Sequence, residues 1–170
     1  MKIAFYGGQT AGLVTLLALL AQKVDVRFVI AEDENVHKIA RNFNLELRPK
    51  ESLENKKFIS ILKRDMDFFI CCHGKKILSA DFVNTLKCIN LHPCFYKYKG
   101  ARPIRRLIKD NNPRISVASH WMSEKVDIGK TIVEIFKIIS NVSESTEAEI
   151  YNELYPLYVE VIIRTLKRLT

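Results

Sequence analysis

The sequence lacks the features that mark small secreted domains and membrane proteins. Its only four cysteines fall at positions 71, 72, 88 and 94, a bunched spacing that does not resemble a disulfide framework. We therefore expect reduced thiols in a cytoplasmic protein. The apolar run at residues 12–20 is too short to cross a bilayer and follows a strand-like segment, which predicts a buried first helix and no membrane partner.

The glycine and histidine patterns match neither of two common cofactor sites. Residues 7–12 read Gly-Gly-Gln-Thr-Ala-Gly, which is not the Gly-x-Gly-x-x-Gly of dinucleotide-binding enzymes, so a dinucleotide-dependent oxidoreductase stays only as an alternative. Cys72-His73 and His92-x-Cys94 offer zinc-type ligands, but their spacing fits no standard zinc motif. We expect no metal ion.

Acidic residues are outnumbered, with 19 Asp and Glu against 27 Lys and Arg and a formal net charge of +8. Such an excess favours anionic partners such as phosphates, nucleotides or polyglutamylated cofactors. Nucleic-acid binders usually cluster their cations around aromatic platforms, whereas these cations are spread along the chain. A tRNA partner is therefore an alternative expectation.

Strand and helix patterns alternate along the chain without a repeat, a low-complexity tract or a linker. Apolar runs at residues 3–6, 24–30, 67–72 and 88–92 predict strands, and helical spacing separates them. We expect Thr10, Ser52 and Ser79 to cap three of the helices. Two strands at 115–122 and 131–139 are expected to be antiparallel, and a long amphipathic helix covers 146–169. The prediction is a single α/β domain over residues 1–170, a Rossmann-like three-layer sandwich with a mainly parallel sheet and an antiparallel edge.

Asn90 and His92 stand out because they lie two apart on an apolar strand and so point to one face. Two polar side chains on a buried face need partners or a pocket. A carboxamide and an imidazole can together hold a developing oxyanion, and Asp127 can keep His92 protonated or accept a proton. The alternative is a hydrogen-bonded core pair with an Asp that caps a surface turn.

The segment from Lys75 to Ile132 resembles the catalytic domain of the folate-dependent formyltransferases. The shared pieces are Lys-Ile-Leu-Ser at 76–79, Phe-Val at 82–83, Ile-Asn-Leu-His-Pro at 89–93, Tyr-Lys-Gly-Ala-Arg-Pro-Ile at 98–104, Ser-Val at 116–117, His-Trp-Met at 120–122 and Val-Asp-Ile-Gly at 126–129. Their order and separations match as well, and both ends of the chain are similar to that domain. The superfamily includes glycinamide ribonucleotide transformylase, methionyl-tRNA formyltransferase and the sugar N-formyltransferases.

The resemblance implies 10-formyltetrahydrofolate as cosubstrate and a role for each matching residue. Asn90 would bind the formyl oxygen and stabilise the tetrahedral intermediate, His92 would act as a protonated donor, and Asp127 would hold His92 or help to deprotonate the amine. His120 matches a position that is often His in the family, or else it is a structural histidine. The pterin pocket would be formed by Lys76, Ile77, Leu78, Val83 and Val126. A homodimer is common among such proteins.

The acceptor side departs from the family. Cys94-Phe95-Tyr96-Lys97 replaces the usual small residue followed by Leu-Leu-Pro, and the first glycine loop differs from that of the purine enzyme. The chain also ends at Thr170, without the C-terminal β domain of the methionyl-tRNA enzyme. We therefore expect a nucleotide-linked amino sugar as the amine acceptor, with methionyl-tRNA, glycinamide ribonucleotide and a non-catalytic binding relative as alternatives. The expected acceptor-binding residues are Gly8, Cys94, Tyr96 and Arg102, and Cys94 is either a nucleophile or a small loop residue.

Overall fold

A computed structural model describes residues 1–169, and Thr170, the last residue of the predicted domain, lies outside the described residues. The strands are β1 (Lys2–Gly7), β2 (Asp25–Ala31), β3 (Glu46–Arg48), β4 (Phe68–Cys72), β5 (Cys88–Pro93), β6 (Arg114–Trp121) and β7 (Thr131–Ile138). The helices are α1 (Gln9–Ala21), α2 (Glu34–Asn42), α3 (Lys56–Asp65), α4 (Ala80–Thr85), α5 (Pro103–Lys109) and α6 (Glu147–Leu169). Two 3-10 turns, Lys50–Glu54 and Val142–Glu144, complete the described elements.

The strands form a seven-stranded sheet in the order β3-β2-β1-β4-β5-β6-β7. The strands from β3 to β5 pair in parallel. Strand β6 pairs antiparallel with both β5 and β7. This arrangement confirms the α/β class and the predicted antiparallel edge. The chain crosses from β1 and β2 to β4 and β5, so the carboxyl ends of β1 and β4 meet where the strand order reverses.

Alternate residues of each central strand pack into two separate hydrophobic cores, one on each face of the sheet. In β1, Ile3 and Phe5 pack with α1 and α6, whereas Ala4 and Tyr6 pack with α3 and α4. Because successive side chains of a strand point to opposite faces, an apolar strand without polar interruptions is buried on both faces. The resulting three layers confirm the predicted sandwich.

Two of the three predicted helix caps are wrong. Ser79 does cap α4, accepting a hydrogen bond from the Phe82 amide. Helix α1, however, begins two residues earlier than expected, with Gly8 in extended backbone at the N-cap, so Thr10 lies inside the first turn. Ser52 lies in the first 3-10 turn, and the side chain of Asn55 caps α3 instead. Ser, Thr and Asn all serve as N-caps, so composition alone does not choose among neighbouring candidates.

None of the helices within residues 1–169 is long and apolar enough to cross a membrane.

Candidate active site

Asn90 and His92 project from β5 toward the same cluster, as their spacing predicts. Strand β6 adds His120, because the antiparallel register pairs Asn90 with His120. Asp127 completes the cluster from the loop between β6 and β7: its Oδ2 lies 3.2 Å from His92 Nε2, and its Oδ1 lies 3.5 Å from Asn90 Nδ2. The structure therefore brings together the three side chains that the sequence singled out.

Both ring nitrogens of His92 face oxygen atoms that act only as acceptors. Nδ1 lies 2.8 Å from the carbonyl oxygen of Pro93. Nε2 lies 3.3 Å from the carbonyl oxygen of Gly100 and 3.2 Å from the carboxylate of Asp127. A neutral imidazole carries one N–H and would turn a lone pair toward one of these oxygens, whereas the protonated ring donates to both sides. The surroundings of His92 therefore favour the protonated donor.

The loop that carries Asp127 is fixed by its backbone. Asp127 adopts a left-handed conformation with a φ of 54°, and its Oδ2 accepts a hydrogen bond of 2.9 Å from the Gly100 amide. Two residues later, a Cβ at Gly129 would overlap the carbonyl oxygen of Trp121 on β6. The Asp-x-Gly pattern thus has a physical reason, since only glycine lets the loop lie close enough to β6 to deliver Asp127.

Asp127 is held in its charged form. Burial raises the pKa of this half-buried carboxyl, but the hydrogen bonds from the His92 ring and the Gly100 amide outweigh it, so the pKa of Asp127 is lowered. A carboxylate at this position accepts a hydrogen bond from the ring of His92.

His120 is a neutral member of the cluster. Its burial lowers its pKa to about 4, although the nearby carboxylate of Asp127 works in the opposite direction. Nδ1–H donates to the Trp121 carbonyl at 3.0 Å, which leaves Nε2 to accept from the Asn90 amide at 3.3 Å. The ring stacks on Phe95 with 4.2 Å between centroids. His120 therefore holds the carboxamide of Asn90 in place, which is the structural role that the sequence left open.

A cavity of about 510 Å³ opens beside this cluster. One wall contains every residue expected for the pterin pocket, namely Lys76, Ile77, Leu78, Val83 and Val126. The side chains of Ile77 and Val126 are 78% and 58% exposed. Apolar side chains left open to solvent at a concave site are typical of ligand contact.

Not all of the residues expected to bind the acceptor line the cavity. Arg102 lines the cavity, at the start of α5. Gly8 is buried at the start of α1 and is absent from the lining, although its neighbour Gln9 is present. The structure brings only Arg102 of the four to the cavity.

Cys94 and Tyr96 point away from the cavity, which contradicts their expected contact with an acceptor. Cys94 is fully buried, and its left-handed φ of 53° turns its side chain into the core. Burial raises the pKa of this thiol to about 11, which argues against a nucleophile. The Tyr96 hydroxyl donates to the Arg114 carbonyl, and its ring packs on Phe136.

Several cavity residues were not predicted from the sequence as site residues. Gly100 donates its amide to Asp127 and offers its carbonyl to His92. Gln9, His73 and Tyr151 line the wall opposite the apolar one. Gln9 and His73 directly follow β1 and β4, so their position at the carboxyl end of parallel strands was the available signal.

Among residues 1–169, no group of three or more His, Cys, Asp and Glu side chains has an arrangement that could hold a metal ion.

Comparison with known proteins places the chain in a family. A family model described as formyl transferase matches residues 4–166. The chain belongs to the formyl transferase family. Members of this family use 10-formyltetrahydrofolate as cosubstrate, which confirms the cosubstrate that the resemblance implied.

Curated relatives include the methionyl-tRNA formyltransferases of Protochlamydia amoebophila, 27% identical over 99% of this chain, and of Thermosipho melanesiensis, 27% identical over 98%. The matches cover 57% and 58% of those proteins, so this chain spans little more than half of their length.

Solved structures with the same fold include a phosphoribosylglycinamide formyltransferase from Bacillus halodurans, with a TM-score of 0.83, 16% identity and coverage of 99% of this chain and 95% of that one. A sugar N-formyltransferase from a Shewanella species has a TM-score of 0.77, with 18% identity over 99% of this chain and 69% of that one. At these identities the likeness shows the fold of the formyltransferase domain.

Proposed function

We propose that this chain transfers a formyl group from 10-formyltetrahydrofolate to a primary amine, as a single catalytic domain. The observation that carries the proposal is the convergence of Asn90, His92 and Asp127 at one side of an open cavity. An amide donor, a ring with donors on both sides and a charged carboxylate supply the groups that acyl transfer needs.

The cosubstrate supplies an activated formyl group, so the chain has to bind, orient and manage charge and protons. As an amine adds to the formyl carbon, the formyl oxygen gains negative charge. The NH₂ group of Asn90 donates to this oxygen in place of its long 3.5 Å contact with Asp127, and the ring of His92 adds positive charge beside it. The carboxylate of Asp127 holds the positive charge of His92 and accepts a proton from the amine, directly or through water.

The cavity fits a flat aromatic ligand on one side of the cluster. Leu78 and Met122 pack with the core that lies under α3 and α4, and the exposed Ile77 and Val126 flank the opening. We propose that this wall, with Lys76 and Val83, holds the pterin. The same cavity is also lined by His92 and Arg102, and we propose that the second substrate binds beside them.

For the acceptor we propose a nucleotide-linked amino sugar. Arg102 is exposed at the rim of the cavity, and no described residue pairs with its guanidinium, whereas Arg105 is paired with Glu147. A free guanidinium suits a diphosphate. The shared fold with a sugar N-formyltransferase is consistent with such an acceptor.

Methionyl-tRNA is the second candidate acceptor. The curated relatives described above are methionyl-tRNA formyltransferases that align with nearly the whole of this chain, and the net charge of +8 favours a polyanion.

The first test is calorimetric titration with 5-formyltetrahydrofolate, a stable stand-in for the donor, of the wild type and of Leu78→Ala, a change in the proposed pterin wall. Saturable binding that weakens in Leu78→Ala, but not in the surface control Asp65→Ala, supports the folate pocket. Absence of binding to folded wild type refutes the proposal.

Turnover then identifies the acceptor. The wild type and Asp127→Ala are supplied with 10-formyltetrahydrofolate and, in separate reactions, a nucleoside-diphosphate-linked 4-aminohexose, methionyl-tRNA and glycinamide ribonucleotide. Formylation of one amine by the wild type alone supports catalysis. Folate binding without turnover of any amine would instead favour a non-catalytic folate-binding relative.

A further inference from the structure

A chain of hydrogen bonds ends on Gln9 at the cavity wall opposite the proposed pterin side. The buried hydroxyl of Tyr158 on α6 lies 2.7 Å from His73 Nε2. His73 Nδ1 lies 2.8 Å from the side-chain oxygen Oε1 of Gln9. Gln9 and His73 both line the cavity, and neither takes part in the Asn90–His92–Asp127 cluster.

The donor and the acceptor of each hydrogen bond in the series Gln9–His73–Tyr158 follow from which atoms carry a hydrogen. The amide oxygen of Gln9 only accepts, so His73 Nδ1 must carry the hydrogen. In a neutral ring, Nε2 then accepts the hydrogen of the Tyr158 hydroxyl. Burial lowers the pKa of His73 to about 4 and raises the pKa of Tyr158, so both groups hold these protonation states near neutrality.

This bonding fixes which end of the Gln9 amide faces the cavity. With Oε1 engaged by His73, the NH₂ group of Gln9 has no hydrogen-bond acceptor among residues 1–169. Gln9 also adopts a left-handed φ of 56°, a strained conformation for a residue with a side chain. A strained residue that presents a free donor to a cavity is arranged for ligand contact.

The charge around Gln9 selects against a phosphate at this end of the cavity. The backbone amide of Gln9 already donates to the carboxylate of Asp33, which also caps α2. The carboxylate of Glu32 lies beside it, bonded to the Tyr6 hydroxyl and paired with Lys50. A phosphate bound here would lie near the carboxylates of Glu32 and Asp33, and it would not find the backbone amide of Gln9 free to donate.

We propose, building on the function proposed above, that the NH₂ group of Gln9 binds an uncharged oxygen of the acceptor, such as a sugar hydroxyl. Tyr158 and His73 are positioning residues that hold the amide of Gln9 in this orientation. The half-buried ring of Tyr151, which packs on His73 with 5.6 Å between centroids, forms the adjoining wall. The acceptor therefore presents hydroxyl groups here, while any diphosphate lies at Arg102.

The test uses the methyl glycoside of 4-amino-4,6-dideoxyglucose as probe, titrated by NMR into protein saturated with 5-formyltetrahydrofolate. We expect Gln9→Gly, which removes the donor and relieves the strained φ, and Gln9→Glu, which replaces the donor by an acceptor, to weaken binding about tenfold, the effect of one lost hydrogen bond. Thr10→Ala, a change of the exposed next residue outside the cavity, should bind as the wild type does. Inorganic phosphate should not displace the probe.

A double-mutant cycle tests the positioning role. Tyr158→Phe removes the hydroxyl that is hydrogen-bonded to His73 Nε2 and holds this ring against Gln9, so it should weaken probe binding in the wild-type background and have no further effect in the Gln9→Gly background. An equal loss in both backgrounds would show that Tyr158 acts only through general packing and would overturn its positioning role.

The remaining outcomes separate this proposal from the one on which it rests. Binding of 5-formyltetrahydrofolate without binding of the probe, or equal probe affinity in Gln9→Gly and wild type, overturns the subsite and leaves formyl transfer standing. Competition by phosphate that disappears in Gln9→Gly would show an anion site and also overturns it. Failure of the wild type to bind 5-formyltetrahydrofolate removes the proposed function together with the subsite.

Discussion

Replacing Asp127 by Asn removes the negative charge from the centre of the cluster while keeping the size of the side chain. Oδ2 lies 3.2 Å from His92 Nε2 and accepts from the Gly100 amide at 2.9 Å. An Asn side chain has only one oxygen. If this oxygen takes the place of Oδ2, the NH₂ group of the new Asn faces the NH₂ group of Asn90. If it takes the place of Oδ1, the NH₂ group faces the His92 ring and the Gly100 amide. The change therefore removes the partner of a protonated His92 and disturbs the hydrogen bonds of the loop.

The size of the effect follows from the distance. Opposite unit charges 3.2 Å apart attract by about 5 kcal/mol at an effective dielectric constant of about 20. Only the part of this attraction that grows as charge develops on the formyl oxygen affects the rate, and loss of a single such contribution commonly costs about 10²–10³ in kcat. We expect a fall in kcat of that size, with the KM for the folate changed by less than about threefold because its apolar wall is intact.

The assay is steady-state release of tetrahydrofolate with saturating acceptor, in wild type and Asp127→Asn. Because the pKa of Asp127 is lowered, the carboxylate is charged throughout the neutral range. Titration of Asp127 itself should therefore add no pH dependence to the wild-type rate between about pH 6 and about pH 8. A variant with wild-type kcat, or one whose loss lies entirely in the folate KM, would refute the role of the Asp127 charge in catalysis.

Three further predictions concern the loop, the core and acid stability. Gly129→Ala should displace the Asp127 loop from the Trp121 carbonyl, with a loss of about 1–3 kcal/mol in unfolding free energy and a fall in kcat at unchanged folate KM, measured by urea unfolding and kinetics. Cys94→Ala should keep kcat within about twofold, and the wild type should resist inactivation by iodoacetamide at this position, since its Cys94 thiol is buried and protonated. The pKa values of His73 and His120 are lowered to about 4 in the folded protein. Below about pH 6.5 the unfolded chain therefore binds more protons than the folded one. The unfolding free energy should then fall by about 2 kcal/mol per histidine as the pH is lowered to about 4.5. His120→Gln should reduce that fall, and a pH-independent stability would contradict both assignments.

The part of the site that lies on one strand could be predicted from the sequence. The spacing of Asn90 and His92 on an apolar strand fixes a shared face, because the side-chain period of a strand is two. The pairing of Asn90 with His120 was beyond reach, since it depends on the register of β5 and β6, which a one-residue shift would change. The role of His120 therefore stayed open until the register was known.

Loop residues were predicted less well because backbone conformation decides where their side chains go. Cys94 and Tyr96 lie next to His92 in the sequence, and proximity suggested contact with an acceptor. The Cys94 amide instead extends the ladder by donating to the Ser116 carbonyl, and the left-handed turn at Cys94 directs the side chain inward. Conversely, nothing in the sequence near His73 indicates a hydrogen-bond partner on the distant helix α6.

The topology of the sheet separates the two sides of the cavity in a way that mutations can exploit. The apolar wall around Leu78 packs with the layer that contains α3 and α4, whereas Tyr151 and Tyr158 belong to the layer that contains α1 and α6. The catalytic cluster lies between them, because Asn90 and His92 project from β5, a strand of the intervening sheet. Residues of the two helical layers share few contacts, and effects of such distant changes usually add. Changes at Leu78 should therefore act on folate affinity and changes at Gln9 on acceptor affinity, whereas a change at Asp127 should act on the rate with either substrate in excess.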